Sequence, residues 1–121
     1  MGTRSGIPVF TNQDMTVSDS FVYPTTTRYS IFIQIYWIGL SGVGKFKIQG
    51  SIKGSTWSDY PLQDCDSCVY EREMIGAEDN YSVLIDNWMP DKIRIVYTSN
   101  TATAGTLNAE MTLIDNQDSS R

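Results

Sequence analysis

The sequence predicts an all-β protein: one antiparallel β-sandwich domain, jelly-roll-like, with six to eight strands. Three observations carry that expectation. Apolar side chains recur at every second residue in several segments, and the helical period is almost absent. Clusters of Gly, Pro, Asn and Ser separate these segments at short intervals. The chain has 121 residues, which suits one domain, and a domain of that size buries roughly two-thirds of its unfolded surface. An apolar fraction of 40%, with 7 Tyr, 3 Trp and 4 Phe, is enough to fill an interior and argues against disorder.

Taken in order, residues 1–13 hold two glycines, one proline and three apolar anchors, Ile7, Val9 and Phe10. They read as an N-terminal arm outside the core, either a frayed end or a tether that docks on a neighbour. On the tether alternative, its removal would abolish assembly and leave the fold intact. Residues 14–115 form the sandwich, and 116–121 a polar C-terminal tail. A weak strand over 15–22 is broken at Tyr23-Pro24-Thr25. The next strand, 29–38, is apolar on both faces: Ile31, Ile33, Ile35 and Trp37 point one way, while Phe32, Tyr36 and Ile38 surround Gln34 on the other. Such a strand is either covered on both sides within its own chain or lies at an interface with another subunit. Leu40-Ser41-Gly42-Val43-Gly44 forms a turn, with both glycines expected at positive φ. Over 45–53, Phe46, Ile48, Gly50 and Ile52 oppose Lys45, Lys47, Gln49, Ser51 and Lys53, the signature of one buried and one wet face. Lys53-Gly54-Ser55 turns the next hairpin. Weaker strands follow over 57–62, 69–75 and 81–87. Turns at Met89-Pro90-Asp91 and from Ser99-Asn100 to Gly105 frame two clear strands. In 92–98, Ile93, Ile95 and Tyr97 face inward; in 106–114, Leu107, Ala109, Met111 and Leu113 do.

Net charge is −5, with no concentrated basic run, so nucleic acid is not an expected partner. There is no histidine, which removes the usual general base near neutral pH and the commonest zinc ligand. The first residues lack the apolar core of roughly 7–15 residues that a signal peptide needs. The apolar run 31–40 is too short for a membrane helix. The expectation is a protein made in the cytoplasm, with no membrane partner.

Cys65-Asp66-Ser67-Cys68 has the spacing of a redox pair or half a zinc knuckle. A tetrahedral zinc site needs four ligands, and no further cysteine or histidine exists. A thioredoxin-type site needs a βαβ context. The expectation is two ordinary loop cysteines and no metal. Asp59, Asp64, Asp66, Glu71 and Glu73 make this region acidic, but the order does not match an EF-hand loop. No Gly-x-Ser-x-Gly elbow or phosphate loop is present. The chain therefore reads as a non-enzyme without a cofactor. Among the tryptophans, Trp37 and Trp57 read as core, and Trp88, in a loop, as the better exposed contact.

The run Ser30-Ile31-Phe32-Ile33-Gln34-Ile35-Tyr36-Trp37-Ile38-Gly39, then Gly44-Lys45-Phe46-Lys47-Ile48-Gln49-Gly50-Ser51 and Gly54-Ser55-Thr56-Trp57, continues to Ile93-Arg94-Ile95-Val96-Tyr97-Thr98 and Gly105-Thr106-Leu107-Asn108-Ala109. Over roughly residues 15 to 114 this order resembles small bacteriophage and prophage virion β-sandwich proteins: head decoration, auxiliary capsid or tail-associated components. The resemblance implies a virion location and assembly with other virion proteins or with copies of itself. It offers no catalytic residue to carry over. Ile7, Val9, Phe10, Phe32, Tyr36 and Trp88 are the interface candidates. Ser51-x-x-Gly54-x-x-Trp57 with Ile93-Arg94-Ile95 also resembles discoidin-like, galactose-binding jelly rolls, which implies a carbohydrate- or host-surface-binding module and a glycan partner. Lys53 stands where that pattern has an Asp, so no ligand-binding residue transfers.

Overall fold

A computed structural model describes residues 3–24, 29–51, 56–62, 71–85 and 90–115. They form two antiparallel sheets packed face to face, as the sequence leads one to expect. Nine strands are present among the described residues: β1 (Thr3–Asp14), β2 (Asp19–Pro24), β3 (Tyr29–Ser41), β4 (Gly44–Ser51), β5 (Ser58–Asp59), β6 (Arg72–Met74), β7 (Glu78–Ile85), β8 (Lys92–Thr98) and β9 (Ala104–Asp115). The first sheet has the order β1-β9-β3-β7 and the second β2-β8-β4-β5, with β6 also pairing to β4. From β1 to β4, and again from β7 to β9, successive strands alternate between sheets, the jelly-roll manner of connection.

The core lies where the period-two pattern places it. Ile31, Ile33, Ile35 and Trp37 of β3, with Leu107, Ala109, Met111 and Leu113 of β9, line the inner side of the first sheet. Phe46 and Ile48 of β4, with Ile93, Ile95 and Tyr97 of β8, line the second. Trp37 is buried, and its indole N–H donates to the Gly76 carbonyl at 2.9 Å. Trp57 differs from the core position expected of it: it is half-buried at the sheet edge, with the Arg94 guanidinium 4.1 Å from its ring centroid.

The arm expected over 1–13 is corrected. Residues 3–14 are β1, an edge strand paired with β9. Val9 and Phe10, expected as contacts to a neighbour, are both buried in this chain's own core. Two adjacent residues cannot both face inward on a regular strand. The register shift between Pro8 and Phe10 turns them the same way, and that bulge hides the strand from a period-two reading. Two further shifts fall at Gly6 and Asn12, both at positive φ. Bulges and an exposed Pro8 also blunt this edge against pairing with other chains.

The strand expected over 15–22 starts later, at Asp19. The Asp14 carboxylate accepts hydrogen bonds from the Thr16 N–H (2.9 Å) and hydroxyl (2.8 Å), so the chain turns before it can extend. The 57–62 strand shrinks to Ser58–Asp59. In the turn before β4, Gly42 has positive φ and lies against the Thr101 backbone. Gly44 does not have the positive φ expected of it. Its role is closeness: a Cβ there would sit 2.7 Å from the Tyr97 hydroxyl oxygen.

Candidate docking face

Within the described residues, strand β3 is covered on one side only. Its inner residues are buried, while Phe32, Tyr36 and Ile38 stand exposed on the outer face of the first sheet. Nothing in the described chain covers them; Ile38 is 53% exposed. Sheet register shows what surrounds each. Phe32 lies between Leu84 of β7 and Thr112 of β9, and Ser30 lies beside Ile114. Leu84 is 55% exposed and Ile114 38%, so one end of the face is an apolar patch. Tyr36 lies between Asn80 and Asn108, Ile38 between Glu78 and Thr106, and Gln34 between Ser82 and Glu110. The other end is thus an aromatic ring flanked by amides and carboxylates. There an open hollow of about 650 Å³ is lined by Gln34, Tyr36, Trp37, Ile38, Glu78, Asp79 and Asn80. Asn108 is held in place by accepting the Asn12 backbone N–H at 2.9 Å.

The opposite side of the molecule has a different character. The outward residues of β4 and β8 include Lys45, Lys47, Lys92 and Arg94, on strands that contain no carboxylate. Arg94 donates from Nε and Nη2 to the Gln49 side-chain oxygen at 2.9 and 2.6 Å, and Gln49 passes the bond on to Asp59 at 2.8 Å. With Trp57 stacked on Arg94, this network fixes one end of the basic face. Lys45 pairs with Glu71 at 3.8 Å near the β6 edge, where the acidic residues collect.

Of the interface candidates, Phe32 and Tyr36 share the outer face of β3, toward opposite ends with Gln34 between them. Ile7 is half-buried on β1 and packs against the core, apart from that pair. Trp88 lies outside the described residues, as do Cys65 and Cys68. Sequence reasoning missed Leu84 and Ile114 as members of the face. Buried Val83 and Ile85 flank Leu84, so phase alone sends it outward. Reading that phase requires knowing which members of an apolar triplet are inside. The concentration of four cations on one face was also missed, because β4 and β8 are distant in sequence. Among the described residues, no group of three or more His, Cys, Asp or Glu is arranged to hold a metal ion.

No family model matches the sequence, and no curated protein matches it. Among solved structures, the chain is similar to the SPBc2 prophage-derived protein YomS, with a TM-score of 0.62 at 10% identity over 93% of each chain. At lower similarity it matches the Tobacco streak virus coat protein, with a TM-score of 0.47 at 12% identity over 96% of this chain and 84% of that one. It matches a CBM4 structure with a TM-score of 0.47 at 11% identity, over 81% of this chain and 57% of that one. At 10% identity the first of these is a likeness of fold: this β-sandwich is one that a prophage protein also adopts.

Proposed function

We propose that this chain is a bacteriophage virion structural protein, an auxiliary or decoration component of the head or head–tail region. It acts by protein–protein assembly, without catalysis or a cofactor. The observation that carries this is the uncovered outer face of the first sheet, where Phe32, Tyr36, Ile38, Leu84 and Ile114 all stand exposed. Phe32, Leu84 and Ile114 form an apolar patch at one end of that face, and patches of that kind mark surfaces that meet a partner. The virion setting is supported by the motif order described above and by the fold shared with a prophage protein. Particles assembled without the protein and then mixed with it test the proposal. Wild-type chain is expected to bind at many copies per particle, and Phe32→Asp/Leu84→Asp to lose most of that occupancy while keeping a native circular dichroism spectrum. Equal occupancy by the variant would remove the face from the account.

A glycan-binding role is favoured by one specific observation, the exposed Tyr36 ring between Asn80 and Asn108 above an open hollow. An aromatic ring takes the apolar face of a sugar, and amides satisfy its hydroxyls. Binding on a glycan array that disappears with Tyr36→Ala would support this role; an array blank for the wild-type protein would discard it.

A further inference from the structure

We propose that the partner covering the outer face of the first sheet is a second copy of this chain, docked through the outer face of its second sheet. The inference rests on the assembly role proposed above and names the partner. It follows from the signs of the two faces. Strands β3, β7 and β9 contain no Lys or Arg, and their outward residues include Glu78 and Glu110. Strands β4 and β8 contain four cations and no carboxylate; among the described residues, the outward carboxylates of the second sheet's strands, Asp59 and Glu73, lie on the β5 and β6 side. Two first-sheet faces brought together oppose carboxylates, and two second-sheet faces oppose ammonium and guanidinium groups. Only the first sheet of one copy against the second sheet of another matches in sign. The apolar part also has a counterpart: Val22 of β2 is 48% exposed beside Arg94, and Val96 is half-buried next to it. Lysine stems add methylene surface for Phe32 and Leu84 to pack on.

Such a contact joins different surfaces of identical chains. It does not close after two copies, so it builds a ring or an open stack, depending on the rotation per step. Either product supplies many copies in a regular array.

Sedimentation of the full chain over a range of concentration and salt tests this. Wild-type mass is expected to rise with concentration and to fall as salt screens the faces. Glu78→Lys/Glu110→Lys and Lys47→Glu/Lys92→Glu should each weaken self-association by about tenfold or more. An equimolar mixture of the two should recover it, because each variant again meets opposite charge. All four side chains are at least partly exposed on strand surfaces, so the fold should survive, as circular dichroism would verify. If either reversal fails to fold, Glu78→Gln/Glu110→Gln and Lys47→Gln/Lys92→Gln test the same contact by charge removal. Wild-type chain that stays monomeric at every concentration overturns the proposal, as does association indifferent to salt and charge, or a mixture that fails to recover. A monomeric chain that still enters particles overturns the stack and leaves the assembly role standing. A chain that stacks but never enters particles does the reverse.

Discussion

Tyr97 shows how one side chain can tie several parts of the sandwich together. It is fully buried on β8, and its hydroxyl donates to the Met15 carbonyl at 2.6 Å, which anchors the β1–β2 turn. Burial, with a smaller contribution from the Asp14 charge, pushes its pKa up to about 12. A folded-state value above the ordinary 10 means that the native chain holds the proton more tightly than the unfolded chain. That stability is present in full below pH 10 and is lost as pH rises toward 12, a loss of about 2 kcal/mol. Denaturant titrations from pH 9 to 11.5 should show it, and Tyr97→Phe should flatten the slope. The same variant should be about 1–3 kcal/mol less stable at pH 7, because it leaves the Met15 carbonyl buried without its donor. Asp14 behaves in the opposite sense. Its hydrogen bonds from Thr16 hold the carboxyl below its ordinary value, so their contribution is present above about pH 4 and fades as pH falls through the lowered value. Gly44→Ala forces a methyl group against the Tyr97 ring and should cost about 1–3 kcal/mol in a melt at neutral pH. The glycine was legible as a turn residue but not as a contact, because the partner that makes it necessary lies on another strand.

Among the elements, β1 departs most from what the sequence suggests. Its bulges put Val9 and Phe10 on one face and break the alternation that revealed β4, β8 and β9 directly. Those three strands were legible because each buries one face and wets the other. The shortening of 57–62 to two paired residues was not legible, since nothing local states how far a strand will find a partner. Removing residues 1–14 strips β9 of a neighbour and takes two buried side chains from the core, each worth about 1.5–3 kcal/mol. Against a total of about 5–15 kcal/mol, the truncated chain should melt far lower or fail to fold. A melting temperature within a few degrees of wild type would return these residues to the status of an arm.

For the whole molecule, the two outer faces carry the functional argument, and the sequence held only half of it. The doubly apolar strand exposed the question of a partner; which neighbours would join Phe32 and Tyr36 depended on pairing that no local pattern encodes. Phe32→Asp/Leu84→Asp sets two carboxylates opposite each other on β3 and β7 and should cost about 1–3 kcal/mol, a loss the fold survives, while its larger effect falls on assembly. A thermal scan beside the particle-binding measurement would separate the two. The strand order carries a further consequence, for timing. β9, last of the nine in chain order, lies between β1 and β3 at the middle of its sheet. On a ribosome, β1 and β3 emerge early and must wait, unpaired with each other, until the segment that joins them has been made. The nascent chain can pair β3 with β7 first, but β1 and the other edge of β3 stay open to chaperones and to aggregation until nearly the whole domain has been synthesised.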